Sequence, residues 1–350
     1  MDGPASVSVI SGKVEAFGLS VKNSSKIVIR EGKRLPFAVS EAADFNILLG
    51  ENANLEEVDG NTIPQPWAEA AEMLREFKKK PAISVVLGKG DSGKTSFCTY
   101  LTNKLLNENQ NVAVLDADLG QSDIGPPCTV SYAFVTEPTT DLFRLRAENA
   151  FFVGFTSPSG AVDKTIKGIA SMKQEILGKP VDFVLVNSDG WVEGEEAMNY
   201  KSRLVEELSP DVIFCLQQEN ELAPLIAALE KFGKIAVESP LAVRQRSRDK
   251  RKDLRELGYI KYLADAKMKT WPLKLLSIEE QNVAQIRQVG EEGLLLGLYD
   301  SQRRFLGIGV LRKIDYVRKA LKVLTPVSVK PAAISFGRVR LDEKLKEIPS

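Results

Sequence analysis

The amino-acid sequence predicts an α/β fold: a phosphate-loop domain with a parallel sheet covered by helices, flanked by small N-terminal and C-terminal β domains. Three observations predict it. Residues 1 to about 63 alternate short apolar runs with polar and Gly turns. From Pro81, nearly continuous apolar runs interleave with helical stretches, the pattern of a parallel sheet buried on both faces. After about Trp271, β character returns with Gly, Asp and Pro punctuation.

Taken in order, Val7–Ile10, Ser25–Ile29 and Phe45–Leu49 read as strands of the first β domain, 1–63. Pro64 to Lys80 reads as a linking helix. Ala68, Ala71, Met73, Leu74 and Phe77 supply its apolar stripe, and Lys78, Lys79 and Lys80 suit its negative dipole end. The central domain, 81–272, takes Ile83–Leu87, Val112–Leu115, Phe151–Val153, Phe183–Val186, Val212–Leu216 and Ile235–Val237 as strands. The last domain, 273–350, takes Leu294–Tyr299, Phe305–Leu311, Leu321–Leu324 and Ile334–Leu341.

Composition narrows the chemistry. The 350 residues hold 47 Lys+Arg, 47 Asp+Glu, three Cys and no His. Without histidine there is no Ser-His-Asp or Cys-His catalysis and no His-ligated zinc, so a general base must be another group. Zero net charge argues against a general nucleic-acid coat; any such site must be a local patch. Cys98, Cys128 and Cys215 are widely spaced and read as buried free thiols. No basic region followed by an apolar run opens the chain, and no stretch approaches the roughly 18 apolar residues of a membrane helix. The expectation is a cytoplasmic protein with no membrane partner.

Gly88-Lys89-Gly90-Asp91-Ser92-Gly93-Lys94-Thr95 fits G-x-x-x-x-G-K-[ST] between a strand and a helix. Its backbone N–H groups and the helix N-terminus can cradle phosphates. Lys94 is expected to reach the β- and γ-phosphates and Thr95 to ligate Mg²⁺, with Ser96 completing the nucleotide-binding set. The competing reading is a Gly-rich turn. Val112–Leu115 then runs into Asp116 and Asp118, where a phosphate-loop enzyme holds its metal water. With no histidine available, one of the two is the natural base, and Gln121 can orient a phosphate or an attacking group. Arg244 to Arg255 holds seven basic residues and two acidic ones. A solvated face is the plain reading. Yet Arg251 and Arg255 are i,i+4 on one helix face, Ser247 suits its N-cap, and Arg246 lies on the entering loop. Arginines on such a helix can close over a triphosphate.

These pieces together resemble the polynucleotide 5′-hydroxyl kinases related to the mRNA cleavage-factor kinase subunit and the pre-rRNA-processing kinase, especially their compact archaeal-type members. The likeness spans almost the whole chain. Asp116-Ala117-Asp118-Leu119-Gly120-Gln121 matches the family's D-x-D-x-G-Q, and Pro126-Pro127 its following prolines. Phe152–Pro158 resembles its apolar-Gly-x-x-x-Pro segment. Asn187-Ser188-Asp189-Gly190-Trp191 resembles its clasp, Gly12–Gly18 its N-terminal G-x-x-E-x-F-G, and Arg246, Arg251 and Arg255 its lid. The resemblance implies ATP or another NTP as donor, Mg²⁺, and RNA 5′-hydroxyl ends, with DNA as a second acceptor. It also implies RNA-processing protein partners and a place in RNA processing or repair, with tRNA splicing, RNA repair and rRNA maturation all left open as the pathway.

It further implies roles. Lys94 and Thr95 hold triphosphate and Mg²⁺. Asp118 activates the 5′-hydroxyl or holds a metal water, and Asp116 is the less settled metal ligand. Ser188, Gln121 and Arg246 lie on the substrate side. Trp191 stacks on a base, against the alternative of a core Trp; Arg251 and Arg255 reach the transferred phosphoryl group. Glu15 contacts the ATP base, against the alternative of an exposed strand Glu. Cys128 stands where relatives often carry Gly, Ser188 where the clasp has Thr, and Arg248 adds a cation. Two other readings stay open: a nucleotide-locked scaffold of an RNA-processing complex, and a switch NTPase.

Overall fold

The computed structural model describes residues 1–240, 243, 245–273, 277–279 and 292–349. Arg244 of the basic segment lies outside the described residues. The chain divides into two compact units. The first comprises Met1–Leu115, Ala133–Arg146 and Lys173–Arg246; the second comprises Asp116–Tyr132, Ala147–Met172 and Ser247–Ser350.

The first unit begins with six short strands: β1 (Ala5–Ser11), β2 (Val14–Ala16), β3 (Leu19–Val21), β4 (Lys26–Ile29), β5 (Ala38–Val39) and β6 (Asp44–Leu49). They form two three-stranded sheets, ordered β4-β1-β6 and β3-β2-β5. Val7 and Val9 of β1 are buried while the intervening Ser8 is half-buried, as period-2 alternation requires. Helix α1 spans Gln65–Glu76 and stops short of the expected Lys80. Phe77 already turns extended, and Lys80 precedes Pro81, a position pushed out of helical backbone.

Next come β7 (Ala82–Gly88), α2 (Lys94–Leu106) and β8 (Val112–Asp116). Then follow β9 (Thr129–Val135), β10 (Asn149–Phe152), α3 (Val162–Leu177), β11 (Phe183–Asn187), α4 (Glu195–Leu208), β12 (Val212–Gln217), α5 (Ala223–Ala228) and β13 (Lys234–Glu238). Within the first unit the order is β8-β11-β7-β12-β13. β11, β7, β12 and β13 pair in parallel, and β7, β11 and β8 are buried throughout, hence their unbroken apolar sequences. Two buried anchors attach the flanking pieces. The Asn103 amide on α2 donates to Phe17 O (2.7 Å) and Thr139 O (2.8 Å). Trp67 of α1 packs on Phe97 at 5.0 Å, and its indole N–H donates to Glu238 O.

The second unit corrects one expectation. β10, which holds the expected strand run Phe151–Val153 up to Phe152, pairs antiparallel with β9, a strand the sequence reading did not mark. Helix α6 (Arg248–Leu263) is capped by Ser247, whose hydroxyl accepts from Lys250 N. Six strands follow: β14 (Lys267–Pro272), β15 (Ser277–Glu279), β16 (Leu294–Tyr299), β17 (Phe305–Asp315), β18 (Ala320–Thr325) and β19 (Ala333–Arg340). They order as β14-β18-β17-β16-β19-β15, so β14 belongs to this sheet although it precedes residue 273. One face buries Trp271, Leu296, Leu311 and Phe336. The other buries Leu295, Ile308 and Val310 with Tyr259 and Leu263 of α6. Residues 247–350 carry 22 Lys+Arg against 13 Asp+Glu, so the neutral total hides a cationic C-terminal stretch.

Phe97 is fully buried between Trp67 and the Phe214 ring at 5.3 Å. Phe97→Ala should therefore destabilise the protein by about 3–5 kcal/mol, read as a lowered denaturant midpoint at unchanged slope.

Candidate active site

Strand β7 ends at Gly88, and the loop to α2 is built from its own backbone. Gly93 caps α2 in left-handed backbone (φ 94°), and no side chain caps the helix. The first-turn N–H groups thus lack a side-chain cap at a positive dipole end. Lys94 is buried, with its ammonium donating to Gly88 O (2.9 Å) and Lys89 O (2.6 Å). Ser92 Oγ is buried and has no hydrogen-bond partner among the described residues. An unsatisfied hydroxyl beside an uncapped helix end fits a phosphate oxygen.

The variable positions of the loop are held from outside. Asp91 (φ 61°) accepts from Arg246 N (2.9 Å) and from its guanidinium (3.1 Å). Ser239 Oγ donates to Ser92 O. Lys89 pairs with Glu193 at 2.8 Å, largely in solvent.

β11 lies beside β7 in parallel, with Asn187 opposite Val86. The segment after β11 therefore emerges alongside the phosphate loop. Ser188 Oγ donates to Val86 O (2.8 Å), and Asn187 Nδ2 donates to Thr95 Oγ1 (3.3 Å). Gly190 touches the loop itself: a Cβ there would lie 2.5 Å from Gly90 N, so only glycine fits. Trp191 follows with a half-buried ring stacked on Tyr200 at 5.7 Å and 22°. It is not a fully buried core side chain.

The first unit also contains a cleft lined by Phe17, Arg30, Arg34, Leu35, Thr95 and Ser96, among others. Arg30 is fixed by a two-pronged bond to Asp141 (2.6 and 2.9 Å), and Arg34 by one to Asp2. Glu15 does not line this cleft; it pairs with Lys104 at 3.2 Å. Its neighbour Phe17 does line it. Sequence reading missed the two arginines, since isolated Arg in a short β segment gives no signal.

In the second unit, Asp116 and Asp118 have different surroundings. Asp116 is buried; its Oδ2 accepts from Asp123 N (2.8 Å), Ile124 N (3.2 Å) and Ser122 Oγ (3.2 Å). Burial, with the nearby charges of Asp123 and Asp118, pushes its pKa up to about 7. Asp118 is partly exposed, and its Oδ1 accepts from Gly120 N (3.1 Å) and Gln121 N (2.9 Å). Gln121 Nε2 donates to Arg251 O (2.9 Å), joining the D-x-D-x-G-Q turn to α6. Arg255 makes a two-pronged bond to Glu347, both distances 2.7 Å, and Tyr259 OH adds a third contact to that carboxylate. Arg251 is half-buried one turn earlier. Cys128 has φ 69°, backbone that favours glycine, and burial raises its thiol to about 12. Cys98 and Cys215 are likewise buried and form no disulfide among the described residues.

Comparison with known proteins gives a consistent picture. The family described as mRNA cleavage and polyadenylation factor CLP1 P-loop matches residues 88–265. A polyribonucleotide 5′-hydroxyl-kinase of Pyrococcus abyssi is 29% identical, over 82% of this chain and 95% of that one. Its counterpart in Pyrococcus horikoshii is 30% identical, over 82% and 93%. Among solved structures, wild-type Clp1p in complex with Pcf11p aligns with TM-score 0.76 at 14% identity, covering 97% of this chain and 94% of that one. That likeness speaks to fold.

Asp116 generates a pH prediction. Its folded pKa lies near 7, above the ordinary 3.8, so the folded state holds the proton longer than the unfolded state. The stability this proton confers is complete below about pH 4 and is lost as pH rises toward 7. Asp116→Asn should flatten that part of the stability profile, measured as the denaturant midpoint from pH 4.5 to 7.5.

Proposed function

Because the chain belongs to the mRNA cleavage and polyadenylation factor CLP1 P-loop family, we propose that it is a polynucleotide 5′-hydroxyl kinase. It transfers the γ-phosphate of ATP, or another NTP, to the 5′-hydroxyl of RNA, and the name of its archaeal relatives supports RNA as the acceptor. The observation that carries the reading is the clasp: Gly190 lies against Gly90, and Trp191 presents a half-buried ring one residue on. An aromatic platform beside a phosphate loop serves an acceptor base; a nucleotide switch has no use for it.

The loop N–H groups and Lys94 hold the donor phosphates, and Ser92 Oγ donates to one of them. Lys94 exchanges its two carbonyl acceptors for phosphate oxygens. The cleft of Phe17, Arg34 and Ser96 takes the nucleoside. Thr95, held by Asn187, and the Asp118 carboxylate are hard oxygen donors that suit Mg²⁺, which needs only one or two protein ligands beside phosphates and water. When bound, Mg²⁺ neutralises charge on the β- and γ-phosphate oxygens.

Asp118 takes the proton of the attacking hydroxyl, because it is partly exposed at the turn where Asp116 is buried and held toward the acid form. Asp116 instead shapes the turn through its backbone hydrogen bonds. Arg251 and Arg255 stabilise the transferring group, with Arg255 leaving Glu347 to do so; Arg246 steadies the phosphate loop through Asp91. The cationic stretch after residue 246 suits a polyanionic substrate.

The test is transfer of labelled phosphate from ATP to a 5′-hydroxyl oligonucleotide with Mg²⁺. Unaltered protein should label it, and Lys94→Ala should not. Asp118→Asn should lower kcat by about 10²–10⁴-fold, the range of a lost general base. Hydrolysis insensitive to oligonucleotide, with no label transferred, would point to a switch NTPase instead.

A further inference from the structure

We infer that Asp189 and Lys201 form a buried bracket that sets the Trp191 platform against the phosphate loop, and that both are positioning residues for the acceptor strand. The inference rests on Trp191 being the acceptor platform.

Lys201 lies in α4. Its side chain is 0% exposed, and that of Asp189 is 5% exposed. A buried ammonium must find partners in place of water. Among the described residues Lys201 donates to two acceptors, both on one residue: Asp189 Oδ2 at 2.8 Å and Asp189 O at 2.9 Å. One ammonium thus fixes the backbone and the side chain of Asp189 together. The carboxylate passes that constraint on in two directions. Its Oδ1 accepts from Trp191 N at 2.9 Å, and its Oδ2 also accepts from Tyr200 OH at 3.0 Å.

Tyr200 is the ring on which Trp191 stacks. Trp191 is therefore positioned through its backbone and through its ring, both by way of Asp189. Between Asp189 and Trp191 stands Gly190, whose contact with Gly90 leaves no room on the side of the phosphate loop. A shift of Asp189 moves the platform relative to the donor phosphates. Phosphoryl transfer depends on in-line placement, where a displacement near 1 Å from a distant change can lower the rate about 10²-fold.

The test avoids leaving one charge stranded. Asp189→Asn with Lys201→Met removes both charges, fills similar volume and keeps an acceptor for Trp191 N–H. Tyr200→Phe removes only the hydroxyl and keeps the ring stack. Affinity for a 3′-labelled 5′-hydroxyl RNA oligonucleotide is read by fluorescence anisotropy, beside kinase kinetics. We expect the double variant to weaken oligonucleotide affinity and raise oligonucleotide KM by about tenfold, with ATP KM within twofold of the unaltered protein. Tyr200→Phe should give a smaller loss in the same direction. Introducing either change into a Trp191→Ala background should produce little further loss, because the effects travel through one ring.

Unchanged affinity in Tyr200→Phe and in a folded double variant overturns the inference, as does full additivity with Trp191→Ala. Binding is read without turnover. Unaltered protein that binds the oligonucleotide but transfers no phosphate therefore refutes the kinase reading while still testing the bracket. Unaltered protein that does not bind refutes both.

Discussion

The parallel pairing of β11 with β7 is the constraint on which the first unit's chemistry depends. Pairing Asn187 with Val86 makes two segments leave adjacent strands at the same edge of the sheet. One is the phosphate loop and the other is the clasp. Open α/β sheets bind ligands at the carboxyl ends of their strands, and both segments leave from that edge. The contact of Gly190 with Gly90 is then a steric consequence of strand spacing and of residues without side chains. The Ser188 bond to Val86 O and the Asn187 bond to Thr95 tie the same edge by side chains.

In this chain without histidine, environment differentiates two neighbouring carboxylates. Asp116 is buried among backbone N–H donors and shifted toward neutrality, whereas Asp118, two residues later, is partly exposed at the turn. The arginines differ too: Arg246 is tied to Asp91 and Arg255 to Glu347, so these two members of the basic segment are individually partnered groups.

Much of this was legible in the sequence. Unbroken apolar runs marked β7, β8, β11 and β12 because strands buried on both faces admit no polar alternation. The phosphate loop was visible because its backbone geometry demands particular residues at fixed spacing, and the D-x-D-x-G-Q turn through its likeness to the family's motif. β9 was not, since Thr129-Val130-Ser131-Tyr132 mixes polar and apolar residues although nearly all are buried. Nor was the antiparallel direction of β10, which depends on a long-range partner. The cleft arginines Arg30 and Arg34, the Lys201 bracket and the Glu347 contact were also illegible. Each is an ordinary surface residue type whose burial is decided by tertiary packing. Helix α1 ended early because a proline-adjacent restriction and an extended Phe77 outweighed the apolar stripe.

The phosphate loop carries one more implication. Its pattern leaves four positions open, yet at least three of those are committed here: Lys89 to Glu193, Asp91 to Arg246, and the Ser92 carbonyl to Ser239. The partners lie more than one hundred residues downstream. What a pattern search treats as wildcards, this molecule treats as addresses, and each is written in a different part of the chain. The loop is consequently not a portable cassette. Grafted into a foreign strand–helix frame, the same eight letters would keep their glycines and lysine but lose the contacts that specify their shape.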